Sequence, residues 1–196
     1  MPHTHTHPGG YVVGMSDCHI YAADYLSVHT YQPIEIAGCT HACGAHALIH
    51  ASLAHRRFPD TQSRHQVTQY VLQKCKAQVP RRLFEHHEYK SFDPKLINTL
   101  WRRLNTSYPL DTTSWLLHRN AHMSKIIRRR IAVDARFGNE ILQVVRAGGS
   151  LFVADGGQYW GQAFQGGRNT LGLVMRAHVP LHLITTNNPG LKKADE

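Results

Sequence analysis

A glycine-rich stretch in the last quarter of the chain sets the tightest limit on how this sequence can fold. An aromatic–glycine corner with Trp160 and Gly161 precedes the loop 166–172, and an apolar helix is predicted over 171–175. Glycines beside a helix start let backbone N–H groups approach a ligand, and the helix dipole favours an anion there. The Trp160 ring offers a face on which a base can stack. The stretch is therefore either a ligand-binding loop or a surface turn beside a core tryptophan.

The spacing of apolar residues predicts a mainly helical α+β fold with a small sheet. The chain has 196 residues, of which 42% are hydrophobic, so one core is the simplest solution. We expect a histidine-rich tail at 1–10, one domain over 11–184 and a polar tail at 185–196. Residues 78–93 are basic and broken by proline, which is typical of a connector.

Apolar residues that recur with a period of two predict strands, and those that recur with a period of 3.6 predict helices. Strands are predicted at 11–13, 19–21, 33–36 and 150–154. Helices are predicted at 43–58, 60–77, 94–104, from 111 onwards, at 139–146 and at 171–175. Asp60 and Asp111 are the expected N-caps of the second and fourth helices, because a short carboxylate accepts from the first-turn N–H groups.

The charge favours an anionic partner. The formal net charge is +9, and sixteen histidines add positive charge on mild acidification. Nucleic acid, nucleotides and acidic surfaces are the partners that this charge attracts, although a basic protein without such a partner has the same composition. The sequence has no long apolar run and no signal-peptide pattern, so we expect no membrane span and a cytoplasmic location.

Several motifs, taken in order, resemble the NADAR family, also called YbiA-like. The family's Trp-Gly corner, glycine-rich turn and Gly-x-Asn-x-Leu-Gly pattern match Trp160-Gly161 and residues 167–172, including Asn169 and Gly172. Its Trp and Met eight residues apart on one helix match Trp115 and Met123. Towards the N-terminus, an apolar strand that ends at Gly38 precedes Ala45-His46, as a similar strand precedes Glu-His in the family.

The resemblance implies the family's fold and an N-glycosidase activity that cuts a ribose–nitrogen bond. The implied substrates are ADP-ribose attached to guanine in nucleic acid, or a riboflavin-pathway intermediate. A phosphorylated nucleoside or ADP-ribosyl ligand is thus the expected partner, with nucleic acid as its carrier. No cofactor or metal is implied.

This chain departs from the family at several polar positions. The family's asparagine, glutamate and lysine near the N-terminus fall on Val28, Ala45 and Ser52, and its aspartate before Trp-Gly falls on Gly157. Its last arginine falls on Val179, with Arg176 one turn earlier. The apolar and glycine framework is retained while these polar residues are lost.

Asp155 is the candidate catalytic residue, because it is the carboxylate next to the Trp-Gly corner. It either acts as a displaced general base or caps the turn at Gly156. The remaining candidates are substrate-binding residues, and each has a structural alternative, such as a helix-start histidine for His46 or a solvated helix arginine for Arg119. The predicted substrate-binding residues are His46, Trp115, Arg119, Trp160, Gly161, Asn169, Gly172 and Arg176.

Three functions follow as hypotheses. The first is an N-glycosidase that uses Asp155. The second is a degenerate member of the family that binds ADP-ribose or a nucleotide without cutting it. The third is a cysteine hydrolase with Cys43 as nucleophile, because a helix N-terminus stabilises a thiolate, with His178 or His182 as its base. A zinc site can also be drawn from Cys39, Cys43, His41 and His46. Their spacing does not match that of a zinc ribbon or finger, so unreactive thiols are the better interpretation.

Overall fold

The computed structural model describes residues 11–13, 20–22, 28–77, 84–86, 89–91, 94–146, 150–152 and 168–178. Within these residues the chain is mainly helical, with short antiparallel strands, which confirms the α+β prediction at that level. A 3-10 turn at Leu53–His55 follows the first helix. The helices are α1 (Gly44–Ser52), α2 (Thr61–Ala77), α3 (Pro94–Ser107), α4 (Thr112–Val133), α5 (Ala135–Arg146) and α6 (Thr170–Ala177).

The strands form one three-stranded sheet and two hairpins. Their bounds are β1 (Tyr11–Val13), β2 (Ile20–Ala22), β3 (Ile34–Ile36), β4 (Cys39–His41), β5 (Phe84–His86), β6 (Tyr89–Ser91) and β7 (Ser150–Phe152). In the sheet, β1 lies between β2 and β7 and is antiparallel to both, with Val12 opposite Tyr21 on one side and Leu151 on the other. Residues from both halves of the chain thus form one sheet.

The hairpin β3–β4 brings the chain to the start of α1. Its two turn residues, Ala37 and Gly38, have φ of 53° and 73°, as a two-residue hairpin turn with left-handed residues requires. Ile36 pairs with Cys39 and Ile34 with His41. The sequence predicted β3 and a break in the strand at Gly38, which lies in the hairpin turn. It did not predict β4 or the hairpin β5–β6 inside the expected connector.

Aspartate caps set the starts of three helices. Asp60 Oδ1 accepts from the Ser63 N–H at 2.6 Å, and Asp111 Oδ1 accepts from the Ser114 N–H at 3.0 Å, which confirms both predicted caps. Asp134 Oδ1 accepts from the Phe137 N–H at 3.2 Å, so α5 starts at Ala135, four residues before the predicted start. The sequence analysis overlooked this third cap because α4 ends only one residue before it.

The first helix is shorter than predicted because the chain turns to join the start of α4. After the 3-10 turn, Arg56 is extended and forms a β-bridge with Leu110. The Asp111 N–H donates to the His55 carbonyl at 2.7 Å. This connection places residues 55 and 56 against the first turn of α4.

Two apolar clusters lie on either side of α1. The first holds Ala47 together with the middle of α4, α5, α6 and Leu151 of β7. The second holds Ala45 and Ile49 together with residues of α2 and α3. Helix α1 therefore packs on both sides, and none of its residues is exposed.

Close packing joins α6 to β7. The Asn169 side chain donates from Nδ2 to the Leu151 carbonyl at 2.6 Å, and Asn169 itself has a left-handed backbone with φ of 46°. A Cβ on Gly172 would collide with the same carbonyl and with the Asn169 amide. Residues 169–172 therefore hold the last described helix against the sheet.

No helix in the described part of the chain combines the length and the apolar character needed to cross a membrane.

Candidate ligand cleft and histidine cluster

A cleft of about 180 Å³ lies between α1, α2 and α3, with His46 at its inner end. Lys74 of α2 and Arg103 of α3 supply the cationic groups at this cleft, and Tyr70 adds an aromatic ring 5.7 Å from the Lys74 ammonium. The other lining residues come from α3 and are Ile97, Thr99 and Leu100. The described lining holds cations, a hydroxyl and apolar groups, which suit a small anionic group such as the phosphate-bearing part of a ligand.

His46 is buried and neutral at the inner end of the cleft. It is 3% exposed, and burial lowers its pKa to about 4, with a smaller contribution from the nearby His29. Desolvation disfavours the charged form of a histidine, so the ring carries no charge at pH 7. A neutral ring has one donor and one acceptor nitrogen, which suits a ribose hydroxyl or a base edge.

Around α1, the positions at which the NADAR resemblance leads one to expect polar groups hold residues with structural contacts. Ala45 packs in the apolar cluster with Val67 and Ile97. The Ala45 N–H donates to the Val28 carbonyl at 2.9 Å. The Ser52 hydroxyl is fully buried, donates to the Ile49 carbonyl at 2.7 Å and accepts from Arg56 Nε at 3.3 Å.

Trp115 lies in a second group of side chains, at the start of α4, which we call the histidine cluster. It is formed by Trp101, Trp115, His55, His118 and His122. Trp115 is buried, its ring centroid lies 5.6 Å from that of His55 and 5.8 Å from that of Trp101, and it stacks on His122 at 6.0 Å. Trp115 is therefore part of an aromatic layer.

Histidines account for the polar contacts of this cluster. His55 Nδ1 lies 2.8 Å from Ser114 Oγ, and His55 Nε2 lies 2.9 Å from His122 Nε2. Burial lowers the pKa of both His55 and His122, and His118 lowers both further, while Asp111 raises that of His55. The sequence analysis did not single out His55, Ser114 or His122. The only sequence feature that pointed to this cluster was the i, i+4 spacing of His118 and His122 on a predicted helix.

The other predicted binding residues lie on α4 and α6. Arg119 is half-buried one turn after Trp115, and Arg176 is exposed in the last turn of α6. Asn169 donates a hydrogen bond to the Leu151 carbonyl, and Gly172 packs closely against the same carbonyl. Their described contacts are therefore with β7. The predicted ligand role of these four residues stays a prediction.

The predicted catalytic residue Asp155, together with Trp160 and Gly161, lies outside the described residues. The same holds for Gly157 and Val179, where the family's aspartate and arginine are replaced. The described part of the predicted site therefore consists of His46, Trp115, Arg119, Asn169, Gly172 and Arg176.

Arg130 is a buried cation that the sequence analysis missed. It is 1% exposed, donates from Nε to Gln32 Oε1 at 2.9 Å and lies 4.0 Å above the Phe137 ring. Burial lowers its pKa to about 10, while Cys43 and Asp134 raise it. The available signal was its spacing, since Arg130 follows Ile126 by four residues and Ile127 by three on the apolar face of α4.

Cys43 lacks the properties of a nucleophile. It is fully buried at the start of α1, and burial raises its pKa to about 12 even though the Ala45 and His46 N–H groups and Arg130 act in the opposite direction. The thiolate is the nucleophilic form of cysteine. A buried thiol that stays protonated at neutral pH does not favour the cysteine-hydrolase hypothesis, which stays a prediction.

Among the described side chains, no group of three or more His, Cys, Asp or Glu residues is arranged to hold a metal ion. Comparison of the chain with protein-family models, curated proteins and solved structures finds no match. Membership of the NADAR family therefore rests on the sequence motifs and stays a prediction.

Proposed function

We propose that this protein binds an ADP-ribosyl or ribosyl-phosphate ligand in the cleft between α1, α2 and α3. The observation that carries the proposal is the neutral, buried His46 in a cleft whose described charged groups are Lys74 and Arg103. Two cations supply the attraction for phosphate, and a neutral imidazole supplies hydrogen bonds for a hydroxyl or a base. The net charge of +9 adds long-range attraction for a polyanion that carries such a group.

The described part of the cleft favours binding over hydrolysis. Cleavage of a glycosidic bond needs a carboxylate that activates water. The described lining contains no Asp or Glu. The position of the family's glutamate falls on Ala45, which packs among apolar side chains. The position of its lysine falls on Ser52, whose hydroxyl donates to a backbone carbonyl.

Hydrolysis is the second candidate function, with Asp155 as the general base of an N-glycosidase. The observation that favours it is the packing of α6 on β7, through Asn169 and Gly172 of the family's motif. Asp155 follows the end of β7 by three residues. Water activation requires one general base, and Asp155 is a carboxylate five residues before Trp160 in the sequence.

Calorimetry with ADP-ribose tests the binding proposal. We expect saturable binding to the full chain. Because a charge-assisted hydrogen bond contributes about 1.5–3 kcal/mol, Lys74→Gln or Arg103→Gln should weaken it by about tenfold or more. Lys125→Gln is the matched control, since this exposed lysine of α4 does not line the cleft. Equal affinity of all four proteins would place the ligand elsewhere, and no binding to the native chain would refute the proposal.

Incubation with ADP-ribosylated guanosine DNA separates the two candidates. Release of ADP-ribose by the native chain and its loss in Asp155→Asn would support the N-glycosidase. Saturable binding without release would support the binding protein. If neither binding nor release occurs, both candidates fail.

A further inference from the structure

A hydroxyl and two imidazoles form a continuous hydrogen-bonded row at the start of α4. Ser114 Oγ lies 2.8 Å from His55 Nδ1, and His55 Nε2 lies 2.9 Å from His122 Nε2. All three side chains are half-buried, so the row is shielded but reaches solvent. It involves neither Asp155 nor any residue of the His46 cleft.

The two distances limit which nitrogen or oxygen atom of this row can carry each proton. If the Ser114 hydroxyl donates to His55 Nδ1, a neutral His55 carries its proton on Nε2 and donates to His122 Nε2. His122 then carries its own proton on Nδ1. In this arrangement the hydroxyl proton already points at a base, and that base is oriented by a second group. A nucleophile, a base and an orienting residue in hydrogen-bond contact have the geometry of a Ser-His hydrolase.

We propose that Ser114 is a nucleophile for acyl transfer from an uncharged carboxylic ester, with His55 as its base and His122 as a positioning residue. This activity is separate from the proposed ligand binding. The half-buried ring of Trp101, which packs against Trp115 beside the row, supplies an aromatic surface for the acyl group.

The reaction balances with water as the other reactant. Ser114 Oγ bonds to the ester carbonyl carbon while its proton passes to His55 Nδ1. The bond between the acyl carbon and the alcohol oxygen then breaks, and that oxygen takes the proton from His55. In the second half, water gives a proton to His55 and its oxygen attacks the acyl carbon. The acid leaves and Ser114 regains its proton.

The start of α4 also suits the negative charge that develops on the carbonyl oxygen. Thr112 and Thr113 are in the first turn of a 22-residue helix, where N–H groups have no acceptor within the helix. The helix dipole favours an anion at this end. The Ser114 N–H is held by the Asp111 carboxylate at 3.0 Å, which fixes the backbone of the nucleophile.

Helix α2 contains a matched control for this arrangement. Ser63 is the third residue of α2 after its cap Asp60, as Ser114 is the third residue of α4 after its cap Asp111. The Ser63 N–H donates to Asp60 at 2.6 Å, but its hydroxyl donates to the Asp60 carboxylate at 3.0 Å. The two serines thus share helix position and cap, and differ in that the Ser114 hydroxyl meets a histidine.

Labelling of the full chain with a fluorophosphonate probe, followed by peptide mass spectrometry, tests the proposal. We expect one adduct at Ser114 and none at Ser63, and no adduct at residue 114 in Ser114→Ala. His55→Gln should slow the labelling of Ser114 by about 100-fold or more, as expected for loss of a general base. Circular dichroism and the thermal midpoint of each variant check that it folds.

The role of His122 is tested by a conservative rescue. His122→Gln retains an acceptor for the His55 Nε2–H and should keep more of the labelling rate than His122→Ala. Three results would overturn the proposal: no adduct at Ser114 in the native chain, equal labelling of Ser63 and Ser114, or a His55→Gln variant that labels as fast as the native chain.

Discussion

Gly172 lies where α6 and β7 leave no room for a side chain. A Cβ at this position would collide with the Leu151 carbonyl and the Asn169 amide, and both groups are fixed by their mutual hydrogen bond. We therefore expect Gly172→Ala to lower the free energy of unfolding by about 1–3 kcal/mol, the usual cost of overpacking. Urea unfolding followed by circular dichroism measures this change.

Gly138→Ala is the matched control. The Cβ of an alanine at this position of α5 would lie 3.2 Å from the Cγ2 methyl group of Ile131 in α4. The gain in helix propensity of about 1 kcal/mol offsets this contact. Its unfolding free energy should stay within about 1 kcal/mol of the native value. A Gly172→Ala variant as stable as Gly138→Ala would show that β7 and α6 separate easily.

The two described free cysteines should differ in reactivity. Cys43 is fully buried with a pKa raised to about 12, whereas Cys39 is half-buried. Because iodoacetamide reacts with exposed thiolates, peptide mapping of native protein at neutral pH should show alkylated Cys39 and unmodified Cys43. In urea both should react. Rapid labelling of Cys43 in the native protein would favour the cysteine-hydrolase hypothesis.

Single residues were predictable from the sequence where the backbone alone decides their role. Aspartate before a helix start is the example, since Asp60 and Asp111 accept hydrogen bonds from first-turn N–H groups as predicted. Gly172 was predicted to bind a ligand, and its described contact is with the Leu151 carbonyl. His55 was not predictable, because its partners lie 59 and 67 residues further along the chain. Among sixteen histidines, no local pattern marks the one that meets Ser114.

At the scale of elements, the cap of α4 should have a measurable effect on stability. Asp111 accepts from the Ser114 N–H, and its own N–H donates to the His55 carbonyl. Asp111→Ala removes the side-chain bond and the favourable charge at the helix start, so we expect the free energy of unfolding to fall by about 1 kcal/mol. Urea unfolding of the variant gives the value.

Asp111→Asn tests the cause of that loss. Asparagine caps helices about as well as aspartate but has no charge, so it should recover most of the stability. If Asp111→Asn is as unstable as Asp111→Ala, charge rather than capping dominates at this position.

Long periodic helices were the elements that the sequence predicted best. Helices α2 and α4 start where their caps were expected, because cap and apolar period agree there. Short strands were harder to predict. The strands of the hairpin β5–β6 have three residues each, which is too few for a period of two to stand out from a basic, histidine-rich background.

For the whole molecule, we expect stability to fall as the pH drops from about 6.5 to about 4. Burial lowers the pKa of His46 to about 4 in the folded state, and it also lowers those of His50, His55, His122 and His178. In this pH range the unfolded chain takes up protons that the folded chain excludes, so protonation favours unfolding. His46 alone accounts for a loss on the order of 3 kcal/mol.

Urea unfolding at pH 7 and at pH 5 measures this dependence. His46→Gln should have a smaller difference between the two pH values than the native chain, because glutamine does not titrate. His65→Gln is the control, since His65 is exposed on α2. A pH difference that is the same in the native chain and in His46→Gln would show that His46 takes up its proton without cost to the fold.

The candidate site could be predicted only in part, because its groups come from different elements. The sequence marked His46 through its place beside Ala45, but Lys74 and Arg103 join it only when α2 and α3 pack beside α1. The sequence showed that positions 28, 45 and 52 differ from the polar residues that the NADAR resemblance leads one to expect. The structure was needed to show that Ala45 packs in an apolar cluster and that the Ser52 hydroxyl donates to a backbone carbonyl.

The position of β1 has a consequence for how the chain assembles during synthesis. β1 is the middle strand of its sheet, and its second edge is completed by β7. A ribosome must therefore deliver residues 150–152 before Val12 can meet Leu151, by which time α1 to α5 have already been made. Contacts so distant in sequence form slowly, so the helical part should collapse first and the sheet should close last. Until then the nascent chain exposes a β1 edge that a neighbouring nascent chain can bind.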